Sequence, residues 1–175
     1  MKIQFFYDYE CPFCKNAYDD LMDLLPSHPN SEIDWRPVEA HPRPEKSWLH
    51  TDLCIEAFYT AVELGAEMDA FNRALFQAVI AEGKNVEKKE VIAEILKKIV
   101  DSGKFLEKLK ERKYAYRAGE NNALAYEKNE VWFVPAFRCI AEKTLKGIPR
   151  LDARGGVGVS RKEIEEFIRK TELLA

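Results

Sequence analysis

The chain opens on a short apolar and aromatic run, Ile3-Gln4-Phe5-Phe6-Tyr7, which reads as a β-strand. Ala17, Leu21, Leu24 and Leu25 then recur at helical spacing and predict a helix directly after it. Pro26, Ser27, His28, Pro29, Asn30 and Ser31 form a turn cluster. Glu32 to Val38 alternates polar and apolar and predicts a second strand, with Pro37 limiting hydrogen bonding at its end. Strand, helix and strand on short connections predict a right-handed parallel unit.

Residues 39–44, with Pro42 and Pro44, read as a loop, and from about Glu45 to Asn129 the pattern is helical throughout. Leu49, Leu53, Ala57, Ala61 and Leu64 keep one face apolar until Gly65 offers a stop. Met68, Phe71, Leu75 and Val79 repeat the pattern before Gly83, and Val91, Ile95 and Ile99 repeat it before Gly103. Phe105, Leu106 and Leu109 make a short further segment. A last one, Tyr114 to Asn129, is interrupted by Gly119, Asn121 and Asn122. These stripes read as core packing between helices. The charges at Lys84 and Glu87 to Glu90 read as a solvated face.

Strand character returns from Glu130 to Ile140. Pro135 lies inside that run, where a proline cannot donate to a ladder, so the strand is expected to begin near Pro135, with a cis Val134–Pro135 bond. Glu142-Lys143-Thr144 predicts a hairpin turn, with Thr144 to Ile148 returning antiparallel. Gly155-Gly156-Val157-Gly158 reads as a flexible connector. Ser160 with Glu163 has the spacing of a capping box, and Ile164, Phe167 and Ile168 give the final helix its apolar face.

Composition changes this picture little. Of 175 residues, 46% are hydrophobic and 33% charged, which suits one globular domain with a substantial core, and the formal net charge of −3 offers no basic excess for nucleic acid. No apolar run reaches the roughly 18 residues of a membrane span. The start of the chain lacks the longer apolar segment of a signal peptide, so a cytoplasmic protein is expected. Four cysteines are too few for a disulfide scaffold at this length.

The candidate chemistry is Cys11-Pro12-Phe13-Cys14, where the first strand ends and the first helix begins. Pro12 suits a first helical turn because its missing N–H would have been unpaired there. The free N–H groups and dipole of that helix end favour a negative charge, and a Cys11 thiolate is such a charge. Cys14, one turn further in, is placed to attack a mixed disulfide formed on Cys11. Cys11 is thus expected to be the entering thiol and Cys14 the resolving one, cycling through a Cys11–Cys14 disulfide. A zinc site would need a second pair of ligands. Cys54 and Cys139 stand alone, and His28, His41 and His50 show no ligand spacing, so no metal is expected. Cys54 and Cys139 read as small buried hydrophobes.

The order of elements, together with Phe6-Tyr7-Asp8-Tyr9-Glu10-Cys11-Pro12-Phe13-Cys14 and Phe133-Val134-Pro135-Ala136-Phe137, resembles the DsbA family, and most of all its cytoplasmic FrnE-like branch. The resemblance implies an α/β, thioredoxin-like fold with a large all-helical insertion between the second and third strands. Residues 1–44 and 130–175 would form the thioredoxin-like part and 45–129 the insertion. It implies a thiol–disulfide oxidoreductase acting on protein or small thiols and disulfides, with no cofactor. Pro135 would be cis and face the cysteines, and the backbone of Val134 would pair with substrate, next to Pro12 and Phe13. Family members often carry Gly-Val-Pro where this chain has Phe133-Val134-Pro135. The Pro-Phe dipeptide also differs from the Pro-His of the strongly oxidising periplasmic members. The related 2-hydroxychromene-2-carboxylate isomerases and kappa-class glutathione transferases share the aromatic-Asp-aromatic lead-in and bind glutathione. They imply an alternative, a glutathione-dependent isomerase or transferase using Cys11 alone, with glutathione as co-substrate.

Overall fold

The computed structural model describes residues 2–140 and 148–174. The first strand, β1, is Lys2–Tyr7, the first helix, α1, is Pro12–Leu24, and the second strand, β2, is Glu32–Pro37. β1 and β2 pair in parallel, with Phe5 opposite Trp35. The strand β3, Ala136–Ile140, lies antiparallel on the other side of β1, with Phe5 opposite Phe137. A fourth strand, β4, Arg150–Asp152, completes the sheet in the order β2-β1-β3-β4. β3 therefore begins just after Pro135, and Val134–Pro135 is cis, as is Arg43–Pro44. The turn expected at Glu142 to Thr144, and most of the return strand expected up to Ile148, lie outside the described residues. Among those described, the antiparallel partner of β3 starts at Arg150.

β1 is apolar on both faces because both are covered. Ile3, Phe5 and Tyr7 join a core with α1 and most of the helices, whereas Phe6 packs on the opposite face with Val38, Ala125, Val131 and Ala136. Phe5 stacks on Phe137 with ring centres 4.6 Å apart, which joins the two middle strands through their side chains. Ser160 caps α7, Arg161–Glu172, and both bonds of its capping box with Glu163 are formed.

Five helices separate β2 from β3: α2 Asp52–Glu63, α3 Met68–Phe76, α4 Lys89–Leu96, α5 Ser102–Lys110 and α6 Arg117–Asn122. α3 continues as a π-helical turn over Gln77–Ala81 and α6 as another over Ala123–Lys128. Gly65 ends α2 as the spacing predicts. Its φ is +76°, and the N–H groups of Gly65 and Ala66 reach back to Val62 and Ala61, a Schellman pattern. One apolar cluster runs from Ile3 and Phe137 through Phe71 and Phe76 to Phe105 and Leu109.

Three expectations need correction. Residues 45–51 are not helical; α2 starts at Asp52, and Leu49 enters the core from a loop. That loop is held by side chains: the His50 N–H donates to Glu87 at 2.8 Å, and the Thr51 hydroxyl to Asp8 at 2.7 Å. Gly103 does not separate two helices, because it lies in the first turn of α5. Asp101 starts that helix by accepting the Lys104 N–H at 2.8 Å. Asn121 and Asn122 do not break α6 either. The Asn121 amide donates to the Pro37 carbonyl at 2.8 Å, and Asn122 accepts the Glu39 N–H at 2.9 Å. These bonds beyond the helix offset the weak helix propensity of asparagine.

Candidate active site

Four residues turn the chain from the end of β1 into α1. Asp8 closes the turn by accepting the Cys11 N–H on its carbonyl at 3.2 Å. Cys11 is the N-cap, in extended conformation, and its Sγ accepts the Cys14 N–H at 3.3 Å, as a serine or aspartate cap would. Pro12 follows as the first helical residue. Cys14, at the third helical position, points inward and is fully buried, with the Asp8 N–H 3.5 Å from its sulfur. Cys11 is half-buried, and all four cysteines are free thiols.

The two sulfurs differ accordingly. The Cys14 thiol donates to Cys11, and this bond, with the N–H groups of Cys14 and Phe13, holds the Cys11 pKa below the ordinary thiol value against the effects of burial and the Asp8 charge. Burial, the bond to Cys11 and the nearby Asp8 carboxylate push the Cys14 thiol well up.

The loop before β3 approaches from the other side. The Val134 carbonyl lies 3.9 Å from the Cys11 sulfur. Cys11, Pro12, Phe13 and Val134 line one open cleft of about 630 Å³, whereas Cys14 and Pro135 lie buried behind it. Aromatic rings rim the cleft: Trp132 is 83% exposed, Trp48 64%, Phe133 54% and Phe13 39%. Exposed apolar surface gathered at one place marks a binding site. Cys54 and Cys139 stand apart from this cleft, in α2 and β3; Cys54 is buried as expected, whereas Cys139 near the end of its strand is only half-buried, and desolvation raises both thiols.

Several residues beyond the two motifs' cysteines and proline shape the site. Asp8 is 1% exposed and accepts three hydrogen bonds: from the Ala40 N–H at 2.6 Å, the Thr51 hydroxyl at 2.7 Å and the Glu10 N–H at 3.1 Å. Burial pushes its carboxyl up to about 6 in spite of them. The buried Glu10 accepts the Ser47 hydroxyl at 2.6 Å. These two carboxylates tie residues 40–51, which form one wall of the cleft, to the turn that presents Cys11. Tyr126, carried on the π-helical turn after α6, adds to the lining and donates to the Glu39 carbonyl. The glycine run is more than a connector. A Cβ at Gly158 would stand 3.0 Å from the Phe13 ring, and one at Gly155 would stand 3.4 Å from Phe133. The available signal for the rim was the bulk of Trp48 and Trp132, apolar residues in stretches rich in proline or charge.

The fold agrees with the comparisons to known proteins. A family model described as a DSBA-like thioredoxin domain matches residues 2–153. No curated protein matches the chain significantly in sequence. Among solved structures, the chain is similar to the cytosolic disulfide reductase DsbM from Pseudomonas aeruginosa, with a TM-score of 0.75, 13% identity and full coverage of both chains. The form of DsbM with GSH gives a TM-score of 0.73 at the same identity and coverage. DsbA from Chlamydia trachomatis gives a TM-score of 0.73 at 13% identity, covering 99% of this chain and 87% of that one. At such identities the likeness speaks for the thioredoxin-like fold, and the family model spans most of the chain. The chain belongs to the DSBA-like thioredoxin domain family of thiol–disulfide oxidoreductases.

Proposed function

We propose that this protein exchanges disulfides with protein or small-thiol substrates through the Cys11-Pro12-Phe13-Cys14 pair, with Cys11 as the entering thiol and Cys14 as the resolving one. The observation that carries the reading is the asymmetry of the pair. The Cys11 sulfur is open to the cleft, bonded by N–H groups of the helix start and held low in pKa, while Cys14 is buried and raised. In the reducing direction, the Cys11 thiolate attacks one sulfur of a substrate disulfide and releases the first substrate thiol. Cys14, losing its proton, then attacks Cys11 in the mixed disulfide and releases the second thiol. Substrate gains two electrons and the protein keeps a Cys11–Cys14 disulfide. Val134 supplies the backbone beside the attacking sulfur, and Pro12, Phe13 and Pro135 shape that platform. In this reading residues 1–44 and 130–175 are the thioredoxin-like part and 45–129 the helical insertion that closes over it. The protein works in the cytoplasm and needs no metal or organic cofactor.

Glutathione is the favoured small co-substrate, because a protein of the same fold is known with GSH and the cleft here is open beside Cys11. A glutathione-dependent isomerase or transferase using Cys11 alone is the second reading on the same observation. The test is a count of free thiols with and without reductant, combined with insulin reduction. A disulfide between Cys11 and Cys14 that turns over supports exchange by the pair. Activity that survives Cys14→Ser and requires glutathione supports the second reading instead.

A further inference from the structure

Phe13 is gripped from two sides. Its ring lines the cleft that opens on Cys11. Its other side lies against the turn that follows β4. That turn is built from backbone: Arg154 and Gly158 form an isolated bridge, and the Val157 and Gly158 N–H groups both donate to the Arg154 carbonyl, at 2.9 and 3.3 Å. It is joined to the loop before β3 through the Ala153 N–H, which donates to the Pro135 carbonyl at 3.0 Å. Gly156 lines the thiol cleft, whereas Gly158 lines a separate depression with Arg154 and Ser160. A Cβ at Gly158 would stand 3.0 Å from Phe13 Cδ1, 3.1 Å from its Cβ and 3.2 Å from its Cγ. One at Gly156 would meet nothing within 4 Å.

We propose that Gly158 is a specificity-determining residue: by leaving room for Phe13 behind the cleft, it sets how wide the approach to the Cys11 sulfur is and which disulfides can use it. The reasoning is steric. Phe13 Cβ is one of the three close atoms, so rotating the ring alone does not relieve a side chain at 158. The first turn of α1 has to give as well, and the free direction for the ring is forward, into the cleft. The width of the mouth matters little to a small disulfide and much to one embedded in a folded polypeptide. This rests on the reading of Cys11 as the entering thiol.

Gly83 supplies the control. Gly83 and Gly158 have φ of +63° and +72°, so alanine at either position suffers left-handed strain, but only Gly158→Ala meets Phe13. The reduced protein is mixed with insulin, a bulky probe, or with hydroxyethyl disulfide, a small one, and the single-turnover rates are compared. With ring and helix turn both displaced toward the cleft, Gly158→Ala is expected to slow insulin roughly tenfold more than Gly83→Ala does. Hydroxyethyl disulfide changes little between the two variants. In a Phe13→Gly background, which removes all three close atoms, the difference between Gly158→Ala and Gly83→Ala on insulin disappears. Equal slowing of both probes by both alanine variants overturns the proposal, as does an excess effect of Gly158→Ala that persists without the Phe13 side chain. If Gly158→Ala alone does not fold, folding of Phe13→Gly/Gly158→Ala supports the proposal, and failure of that double variant while Phe13→Gly/Gly83→Ala folds overturns it. Failure of the underlying reading looks different: insulin turnover would then survive Cys11→Ser with Gly158 left in place.

Discussion

Cys11 and Cys14 stand one helical turn apart and meet opposite surroundings. Cys11 caps the helix, collects N–H donors on its sulfur and faces a cleft rimmed by aromatic rings. Cys14 is fully buried, beside the Asp8 backbone, and its thiol is raised where that of Cys11 is lowered. The same residue type in the same motif thus acquires two chemistries from three residues of helix. Position relative to the helix end decides which sulfur carries charge, and burial decides which one a substrate can reach.

The largest effect that sharpens this comparison is on turnover. Cys11→Ser is expected to lower insulin reduction by at least about a thousandfold, the scale of losing a nucleophile. Cys14→Ser should lower it too, but by a different route: a mixed disulfide accumulates on Cys11, visible in the intact mass under non-reducing conditions. Equal loss with no trapped adduct in Cys14→Ser would remove the distinction between the two thiols.

The next effect runs through Asp8, which lies between the sulfurs and the cleft wall. Its folded pKa of about 6 is above the ordinary carboxylate value of 3.8, so the folded state holds the proton more tightly. The stabilisation is therefore full below the unfolded value and is lost as pH rises through about 6. The gap corresponds to roughly 3 kcal/mol. Urea melts of the wild type and Asp8→Asn between those limits should show wild-type stability falling relative to the variant as pH rises. A flat difference curve would mean that the carboxyl is solvated. Asp8→Asn should also lower the pKa of Cys11, read from thiolate absorbance at 240 nm, because the charge opposing that thiolate is gone.

Smaller effects concern rates and potentials. Near neutral pH, iodoacetamide should label Cys11 at least roughly tenfold faster than Cys14 in the reduced protein, because the thiolate is the species that reacts. Faster labelling of Cys14 would reverse the assignment. Phe13 offers neither a side-chain donor nor a charge to the Cys11 thiolate. The potential is accordingly expected between about −270 mV, as in thioredoxin, and about −120 mV, as in periplasmic DsbA, and nearer the former. Phe13→His should raise it by roughly 30 mV, a tenfold change in the exchange constant against glutathione. No change would show that the dipeptide does not set the potential.

Much of this arrangement is local and was legible for that reason. The strand, the proline at the first helical position and the two cysteines lie within one short stretch, and Pro135 announces the start of β3 by its missing N–H. The capping box of α7 is likewise written in four residues. The cleft wall is not local. Its shape depends on Asp8 reaching Ala40 and Thr51, and on Glu10 reaching Ser47, pairs far apart in the chain. Periodicity instead assigned Leu49 to a helix, because a core residue on a loop leaves the same mark as one on a helix face. The glycine turn was read as slack for a related reason: glycine shows where a side chain is missing but not which neighbour requires its absence.

The three tryptophans divide along the same line. Trp35 is half-buried against Phe5, Tyr7 and Tyr18, while the indoles of Trp48 and Trp132 stand exposed on the rim of the thiol cleft. The protein therefore carries its own optical reporter. A ligand settling over Cys11 dries two indoles and leaves the third as an internal standard, so occupancy can be followed by a blue shift in fluorescence without any label.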